Sequence, residues 1–443
     1  MTASKFTYVD LFAGIGGFHA ALEALGGQCV YASEIDEAAS SVYELNWGIN
    51  PRGDITEDAN ADVMNVPEHD VLVGGFPCQP FSKSGAQRGM DETRGTLYWN
   101  ILKIIQARTP TLILLENVRN LVGPRHRHEW DTIIRSLRES GYRVSEHPWI
   151  LSPHRIPREL GGRPHARDRV FIVAVRTSGE DKSVDKLCTP ARVVEGWNST
   201  DWNLNHDLPL EKHLRSPSLK LTEQQQHWLS AWDDFVRQMS LRTQGGRLPG
   251  FPLWGDEWRE IDETLLDVEL PTWKRNFLIK NSIFYVENKD LIDSWADKWG
   301  FYTDNFPPSR RKFEWQAGSL RSLKSTIIHM RPSGIRVKRA DYVPALVAIT
   351  QTSFVYDKSR FLSVREAARL QGLPDWFDFG GQPDRLSYKQ LGNGVSVGAI
   401  WYALKHSLKV FESELKAASP GLYRAIKEAP CNPDAVLVSM RHK

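Results

Sequence analysis

Apolar and polar positions follow two periods along the first 176 residues. Continuous apolar runs, typical of strands buried on both faces, alternate with segments whose apolar residues recur every three or four positions, as in amphipathic helices. Strands that alternate with helices predict a parallel α/β sheet covered on both faces. The predicted strands are FTYVDLF, QCVYASEI, DVLVGG, TLILLENV and DRVFIVAV, and the predicted helices are GFHAALEAL, EAASSVYELN and DTIIRSLRESGY.

The regular alternation fades between about Arg176 and Ala340. Apolar runs in this segment are short, and ten of the sixteen tryptophans of the chain fall there, among prolines and charged residues. We interpret the segment as a separate domain whose tryptophans mostly belong to its core. Helical periodicity then returns in SVREAARLQG and in the longer SVGAIWYALKHSLKVFESEL.

Composition limits the class of protein further. The 443 residues are 41% hydrophobic and 25% charged, a balance typical of globular proteins, and about 150 residues per domain predicts two or three domains. No apolar run approaches the roughly 18 residues of a membrane helix, and the N-terminus lacks the layout of a signal peptide. The four cysteines form no CxxC pair, which argues against disulfides and a metal site and favours a cytoplasmic location.

A glycine-rich loop, DLFAGIGGF, links the first predicted strand to the first predicted helix. Gly14, Gly16 and Gly17 permit a tight turn and a close approach of a ligand to the backbone. The second strand ends in SEID, which places Glu34 and Asp36 about 20 residues further on, where an acid binds ribose hydroxyls in nucleotide-binding folds. For the glycines alone, a purely structural turn is an equal alternative.

Two further features favour a nucleotide ligand at this loop. Asp54, in the segment GDIT before the third strand, offers another acid near the same edge of the sheet. The loop carries no Walker lysine, which argues against a phosphate cradle. An adenosine ligand without a pyrophosphate therefore fits the pattern better.

Cys78 follows the third predicted strand, in the segment GGFPCQPFSKSG. A free cysteine is usually inert packing, and that interpretation competes here. However, the cysteine lies at the carboxyl edge of the sheet, where open α/β folds bind ligands. Pro77 and Pro80 stiffen the chain on either side, and the Ser/Gly/Lys-rich segment that follows is typical of a loop. This position favours a reactive thiol.

Polar side chains occur beside two other predicted strands. Glu116 and Asn117 end the strand LILLENV, and burial there should raise the pKa of the glutamate. Arg167 and Arg169 precede the next strand with alternate spacing, so they share one face of an extended segment. A solvated loop acid and a solvated basic strand start are the competing interpretations. Together with Cys78, these groups form a site suited to adding a nucleophile to an electron-poor ring.

Six segments resemble, in order, the motifs of DNA (cytosine-5)-methyltransferases of the bacterial restriction-modification type. The resemblance covers about residues 7–176 and 342–410. One departure is His165, which stands where the family usually has glutamine two residues before the first arginine, so the role of that glutamine is in doubt here. The six segments are DLFAGIGGF, GGFPCQPFS, ENV, RPHARDRVFIV, RLQGLPDWF and YKQLGNGVSVGAI.

The resemblance implies the α/β fold of S-adenosylmethionine-dependent methyltransferases, a Rossmann-like mixed sheet with helices on both faces, plus a smaller irregular domain. It implies a catalytic and cofactor-binding domain in residues 1–176, completed by 385–443. The target-recognition domain would then span residues 177–384 and include the RLQGLP motif.

The implied reaction transfers a methyl group from S-adenosylmethionine to C5 of a flipped-out cytosine in a specific double-stranded DNA sequence. Cys78 would be the nucleophile that bonds to C6, and Glu116 would contact N3 and the exocyclic amine. Arg167 would hold O2, with Arg169 in support. The residues that the resemblance places at the cofactor are Phe12, Gly14, Gly16, Gly17, Glu34, Ile35, Asp54, Ile55, Pro77, Leu97, Asn393 and Val395.

The charge of the variable region favours DNA as a partner. Residues 309–340 hold nine Lys and Arg residues against a single acid, Glu314, and such a one-signed run favours phosphate contacts and the pairing of arginine with guanine. A solvated face is the alternative interpretation. The residues predicted to contact DNA are Gln79, Ser82, Ser84, Arg310, Arg311, Arg336, Lys338 and Arg339.

Two other functions compete with DNA methylation. Some relatives act on transfer RNA, but these have a much shorter variable region. The other competitor is an inactive homologue that only binds DNA, which the presence of Cys78, Glu116 and Arg167 argues against. The resemblance also implies a monomer that protects host DNA from a partner restriction endonuclease.

Overall fold

The computed structural model of the chain describes residues 5–77, 96–145, 147–177, 197–212, 214, 216–244, 247–261, 269–346 and 352–440. The chain divides into two units. The first unit comprises Met1–Leu210, Pro344–Thr350 and Val364–Lys443, and the second comprises Glu211–Val343 and Gln351–Ser363.

A mixed sheet organises the first unit. Its strand order is β2-β1-β3-β4-β7-β5, and β6 also pairs with β7. Strands β2, β1, β3 and β4 are mutually parallel, whereas β7 is antiparallel to β4, β5 and β6. The strands are β1 (Phe6–Leu11), β2 (Gly27–Ser33), β3 (Val71–Gly75), β4 (Leu112–Val118), β5 (Tyr142–Val144), β6 (Trp149–Leu151) and β7 (Arg169–Arg176).

Helices follow most of these strands in the chain, as the alternating pattern predicts. The helices are α1 (Gly17–Ala24), α2 (Glu37–Trp47), α3 (Ile55–Asp58), α4 (Leu97–Arg108), α5 (Arg127–Glu139) and α6 (Leu204–Asp207). The C-terminal part of the unit adds α10 (Val364–Gln371), α11 (Asp384–Asn393), α12 (Val397–Ala418), α13 (Pro420–Glu428) and α14 (Asp434–Leu437).

The apolar runs of the sequence form the core of this sheet. The four residues Leu112–Leu115 of β4 are completely buried, as the continuous run predicted. Two of them, Ile113 and Leu115, pack in a core with residues from β1, β3 and β7 and from α4 and α5. The five predicted strands are confirmed as β1, β2, β3, β4 and β7. The mixed sheet that the resemblance implies is also confirmed, whereas the parallel sheet expected from the alternation alone is wrong for β7. Apolar periodicity identifies a strand without giving its direction.

The second unit has its own sheet and its own aromatic core. The sheet order is β13-β12-β10-β11-β9-β8. At the centre of the core, the ring of Trp232 stacks on Phe313 with 4.3 Å between centroids. The strands are β8 (Leu253–Trp254), β9 (Lys312–Gln316), β10 (Thr326–Arg331), β11 (Gly334–Arg339), β12 (Phe354–Val355) and β13 (Arg360–Phe361), and the helices are α7 (Glu223–Arg242), α8 (Thr272–Glu287) and α9 (Lys289–Trp299).

The tryptophans of the segment 177–340 are mostly core residues, as expected. Six of the ten are buried, and Trp273 is the most exposed of those that remain. The six buried residues are Trp202, Trp228, Trp232, Trp258, Trp295 and Trp315.

The division into units differs from the predicted boundaries at 176/177 and 384/385. Trp202 lies in the first unit and donates its indole N–H to the His154 carbonyl at 2.8 Å. Gln371, at the end of α10, is buried and donates its side-chain amide to the Leu391 carbonyl of α11. The loss of regular apolar alternation therefore marks the end of the long strands and not the end of the first unit.

The tail after Ala418, which lies beyond the segments that carry the resemblance, belongs to the first unit. Helix α13 buries Leu422 and Ile426 completely. In α14, Asp434 pairs with Arg163 at 2.5 Å. The tail thus has a structural role.

Candidate active site

Strand ends bring the predicted catalytic side chains of the described residues, Glu116, Arg167 and Arg169, to one edge of the sheet. Gly75, at the end of β3, is in register with Glu116 near the end of β4. Because β7 runs antiparallel to β4, its first residue, Arg169, lies opposite Val118 at that same edge. Glu116, near the end of β4, and Arg169, at the start of β7, therefore meet at the edge where β3 ends.

A cavity of about 820 Å³ opens at this edge. Its walls come from the glycine loop, from the ends of β2, β3 and β4, from the start of β7, and from the segment after α11. Fourteen of the predicted catalytic and cofactor residues line it: Phe12, Gly14, Gly17, Glu34, Ile35, Asp54, Ile55, Pro77, Leu97, Glu116, Arg167, Arg169, Asn393 and Val395.

The glycine loop needs its glycines for conformation and for space. Gly14 and Gly16 have φ angles of 56° and 91°, in the left-handed region that glycine tolerates. A Cβ atom on Gly16 would lie 2.1 Å from the indole nitrogen of Trp47, and one on Gly17 would lie 2.6 Å from the Val395 carbonyl oxygen. Gly16 is not among the residues that line the cavity, so its contribution is to let α1 approach α2.

Glu34 is fixed by the backbone on both of its carboxylate oxygens. The N–H of Gly14 donates to Oε2 at 2.8 Å, and the N–H of Asp36 donates to Oε1 at 2.8 Å. Each carboxylate oxygen has a second lone pair that can accept a hydrogen bond from a ligand. Glu34 therefore joins the glycine loop to β2 and faces the cavity as an acceptor.

Asp36, the second acid of SEID, makes contacts within the protein through its side chain. Its side chain caps α2 by accepting the Ala39 N–H at 3.1 Å, and it pairs with Lys389 at 2.9 Å. The hydrogen bond from Lys389 lowers the pKa of this carboxyl group. Of the two acids, Glu34 is the one left to bind a ligand.

Two more side chains complete this end of the cavity. Ile35 is 71% exposed at the rim, which is unusual for a large apolar residue. One carboxylate oxygen of Asp54 accepts the Thr56 N–H at 2.9 Å. Its other oxygen has no hydrogen-bond partner among the described residues. An apolar side chain beside a free acceptor suits a flat aromatic ligand that carries an amino group.

Glu116 is buried between two guanidinium groups. Its Oε1 atom lies 2.9 Å from Nε of Arg169. Burial raises the pKa of Glu116, while the charges of Arg169 and then Arg167 act in the opposite direction. The carboxyl group is therefore easier to protonate than an exposed one, as the sequence predicted.

Arg167 is almost completely buried and is held by backbone carbonyl groups. Its Nη1 donates to Leu346 at 3.1 Å, and its Nη2 donates to Gly394 at 2.8 Å and to Asn393 at 3.4 Å. Burial lowers the pKa of this guanidinium to about 9, so it still carries its charge at neutral pH. The side chain ties the start of β7 to the segment that follows α11.

His165 and Leu346 form a contact that the sequence did not predict. The imidazole is completely buried, and its Nε2 accepts the Leu346 N–H at 3.1 Å. Leu346 lies 181 residues further along the chain, so no local pattern signals the contact. Lys389 was also missed, because a lysine in an amphipathic helix usually indicates a solvated face.

The predicted nucleophile Cys78 lies outside the described residues, as do Gln79, Ser82 and Ser84. The chain on its N-terminal side is described up to Pro77, which lines the cavity. The carbonyl of Phe76 accepts a hydrogen bond of 2.9 Å from the buried side chain of Asn117. Asn117 therefore fixes the end of β3 two residues before the cysteine.

The five predicted DNA contacts of the second unit fall into two groups. Arg310 lies over the Trp228 ring and donates to the Arg331 carbonyl, and Arg311 pairs with Asp256. Both side chains thus have partners inside the unit, as do Arg336 with Glu314, Lys338 with the Tyr342 ring and Arg339 with Asp341. Arg336, Lys338 and Arg339 lie on β11, and contact of all five with DNA stays a prediction.

The described residues offer neither a metal site nor a membrane-spanning helix. They contain no group of three or more His, Cys, Asp or Glu side chains placed to hold a metal ion. No helix in the described ranges is both long and apolar enough to cross a membrane.

Comparison with known proteins gives matches over nearly the whole chain. The model of the C-5 cytosine-specific DNA methylase family matches residues 6–409. The type II methyltransferase M.AluI of Cellulosimicrobium cellulans is 44% identical, over 94% of this chain and 95% of that protein. The type II methyltransferase M1.ScrFI of Lactococcus lactis subsp. cremoris is 41% identical, over 93% of this chain and 80% of that protein.

Proposed function

Because the chain belongs to the C-5 cytosine-specific DNA methylase family, we propose that Cys78, Glu116 and Arg169 catalyse transfer of a methyl group to C5 of cytosine in its active site. The chain is a DNA cytosine-5-methyltransferase of the restriction-modification kind. The matches do not favour the alternatives, a transfer RNA methyltransferase or an inactive DNA-binding homologue. The observation that carries the catalytic proposal is the buried Glu116 paired with Arg169 at the sheet edge where Pro77 precedes the cysteine.

The cavity fits S-adenosylmethionine as the cofactor. The fixed carboxylate of Glu34 suits the two ribose hydroxyls, and exposed Ile35 with the free oxygen of Asp54 suits an adenine ring and its amino group. A side chain at Gly17 would collide with Val395 in the cavity wall. When bound, this cofactor supplies an electrophilic methyl group.

The chemistry of cytosine explains why a thiol is needed in the active site. C5 of cytosine is too weak a nucleophile to attack a methyl sulfonium directly. A thiolate that adds to C6 places electron density at C5, and Cys78 is the cysteine at the appropriate position. After C5 has accepted the methyl group, loss of the C5 proton and of the Cys78 sulfur restores the aromatic ring.

Glu116 stabilises the negative charge that develops on the ring. Its raised pKa favours a protonated carboxyl group that can donate to N3 of the pyrimidine. In its ionised form it can accept a hydrogen bond from the exocyclic amine. Its contact with Arg169 at 2.9 Å limits how far the carboxyl group can turn away from the cavity.

The contacts favour the opposite assignment of the two arginines from the one that the resemblance implies. The terminal nitrogens of Arg167 donate hydrogen bonds to three backbone carbonyls, and the residue is 2% exposed. Arg169 lines the cavity beside Glu116, and its side chain remains partly exposed. We therefore assign Arg169 to the O2 atom of cytosine and Arg167 to the positioning of the surrounding backbone.

The substrate must leave the DNA stack to reach this site. C5 and C6 of a base inside a duplex are not accessible to a thiol and a cofactor on opposite faces of the ring, so flipping of the cytosine is required. The residues assigned to contact the duplex around the flipped cytosine are Gln79, Ser82 and Ser84, together with the basic residues of β11. As a whole, we assign the protein a monomeric state, a cytoplasmic location and a partner restriction endonuclease.

Bisulfite sequencing of DNA from a methylation-deficient host that expresses the protein tests the activity. Methylated cytosines at one recurring sequence are expected, and an unmethylated genome would contradict the function. A duplex with 5-fluorocytosine at the mapped position then tests the mechanism. Fluorine cannot leave as a proton, so a denaturation-resistant adduct between protein and DNA should accumulate. Methylation without any adduct would reject attack at C6 while leaving the activity in place.

A further inference from the structure

The sheet of the second unit has one apolar face and one polar face. Alternate residues of β9, β10 and β11 point into the aromatic core. The positions between them are partly exposed: Glu314 on β9, His329 and Arg331 on β10, and Arg336 and Lys338 on β11. Since residues i and i+2 of a strand share a face, these five side chains form one polar face, which we call the basic face.

Glu314 joins two arginines at the centre of the basic face. Its Oε1 accepts Nη2 of Arg331 at 2.7 Å, and its Oε2 accepts Nε of Arg336 at 2.6 Å. Burial opposes the charge of this carboxylate, yet the two guanidinium groups hold the pKa of Glu314 below its ordinary value. The three groups form a charged cluster, which we call the Arg–Glu–Arg triad.

The triad leaves one guanidinium edge of Arg336 unused. With Nε bound to Glu314, the two terminal nitrogens of Arg336 meet no hydrogen-bond acceptor within the described part of the chain. The side chain is 32% exposed, so this edge can reach a partner outside the protein. Glu314 therefore holds the guanidinium in a fixed orientation with its donor pair free.

Such a donor pair matches guanine. The planar edge of an arginine donates two parallel hydrogen bonds to O6 and N7 of guanine in the major groove. An arginine held by a carboxylate loses little side-chain freedom on binding, which favours affinity. Every cytosine in a duplex is paired with a guanine, so a cytosine-modifying enzyme always has this base in its target.

The local backbone fixes the position of Arg336. Strands β10 and β11 form an antiparallel hairpin in which Arg331 pairs with Gly334 beside the turn, and Arg336 pairs with His329. The hairpin lies between β12 and β9 in the six-stranded sheet, so Arg336 projects from a central strand whose backbone is held on both sides. Lys338 lies two residues beyond Arg336, with its Nζ atom 3.4 Å from the centre of the Tyr342 ring.

We propose that Arg336, positioned by Glu314, reads a guanine in the target sequence of duplex DNA, and that it thereby helps to determine specificity. This inference rests on the proposed function, because a target sequence exists only if the protein methylates DNA. A cross-strand ion pair with a purely structural role is the competing explanation, and exposed pairs of that kind contribute little to stability.

The test compares target preference between variants. A library of duplexes with randomised sequence is methylated by the wild-type protein and by Arg336→Ala, and bisulfite sequencing records the modified sites. The variant should relax one position at which the wild type requires guanine. Its rate on the preferred sequence should fall roughly 10- to 100-fold, the discrimination that one bidentate contact provides.

Three further variants separate the explanations. Arg336→Lys keeps the charge without the planar donor pair, so it should relax the same position. Glu314→Gln should relax it partially, because the guanidinium is less firmly held. Arg321→Ala, an exposed arginine of the same basic segment outside the triad, should leave the preference unchanged.

The outcomes are distinct. An unchanged sequence preference in Arg336→Ala, or an equal loss of rate on all sequences, would overturn base reading and leave a structural or phosphate contact. If Arg336→Ala does not fold, as judged by thermal unfolding, Arg336→Lys decides the question in the same way. Absence of methylation by the wild-type protein would instead reject the proposed function.

Discussion

His165 accepts the backbone N–H of Leu346 through Nε2 at 3.1 Å, although the two residues lie 181 positions apart. Arg167 donates to the carbonyl oxygen of the same residue, also at 3.1 Å. Both polar backbone groups of Leu346 are therefore bound by the segment that leads into β7. Because an amide N–H can only donate, Nε2 must be unprotonated, and the buried imidazole is neutral.

A neutral buried His165 makes stability depend on pH. Burial lowers its pKa well below the ordinary value of 6.5, and the charges of Arg167 and Arg169 act in the same direction. Below pH 6.5 the unfolded chain binds a proton that the folded protein does not bind. The stabilisation is therefore complete above about pH 6.5 and is lost as the pH falls, by at most about 1.4 kcal/mol per pH unit.

Urea unfolding of the wild type and of His165→Gln between pH 7.5 and 5.5 checks this effect. Glutamine can accept the same N–H without titrating, so the variant should lose less stability on acidification. His165→Leu removes the acceptor and should be less stable by about 1–3 kcal/mol at pH 7.5, because the Leu346 N–H is left unsatisfied, and this deficit should shrink on acidification because leucine does not titrate. Equal pH slopes for the wild type and His165→Gln would show that the imidazole does not control this dependence.

The strands and the composition of the sheet edge follow directly from the sequence. Apolar runs identify β1, β3 and β4, and the polar residues after them must lie at one edge because these strands are parallel. The direction of β7 did not follow, since apolar periodicity is the same in both directions. In a purely parallel sheet, Arg169 would lie at the opposite edge from Glu116.

Other parts of the site depend on contacts that sequence spacing does not encode. Glu34 and Asp36 are equivalent in the sequence, and only the helix cap and the contact with Lys389 show which one is already occupied. Leu346 approaches His165 only after the chain has passed through the second unit. Long-range packing decides such roles, whereas local patterns decide which elements form.

Glu116 should be required for the chemical step. In Glu116→Gln the amide has the same shape but cannot donate a proton in the same way, so kcat should fall about 10²- to 10⁴-fold, the usual contribution of general acid–base catalysis. Single-turnover methylation of the mapped duplex measures this loss. Cofactor affinity, measured by calorimetry, should change little. A kcat within a few-fold of the wild type would remove Glu116 from the mechanism.

The same substitution should also affect stability. Glu116 supplies the negative charge that faces the buried guanidinium group of Arg167 and the partly exposed one of Arg169. Removal of one partner of a buried ion pair typically costs about 3–5 kcal/mol, so Glu116→Gln should unfold at a lower urea concentration. Glu412→Gln, at a surface position of α12, is the matched control and should not shift the midpoint by a comparable amount.

Glu34 should control affinity for the cofactor. Glu34→Ala removes the acceptor for the ribose hydroxyls and releases the N–H groups of Gly14 and Asp36. Loss of a hydrogen bond to a charged group costs about 1.5–3 kcal/mol, so binding of S-adenosylmethionine should weaken about 10- to 100-fold. Asp36→Asn serves as the control. Its carboxylate is occupied by Ala39 and Lys389, so a smaller effect is expected, and equal effects would contradict the assignment of Glu34.

Cys78 should be needed for methyl transfer but not for cofactor binding. Cys78→Ser replaces the thiol with a much weaker nucleophile at the same position, so methylation should fall below detection. Affinity for S-adenosylmethionine should stay near the wild-type value, since its proposed contacts lie on the glycine loop and β2. Cys431→Ser, at an exposed cysteine, is the matched control and should retain full activity. Methylation by Cys78→Ser at the wild-type rate would reject covalent catalysis by this residue, whatever the effect on binding.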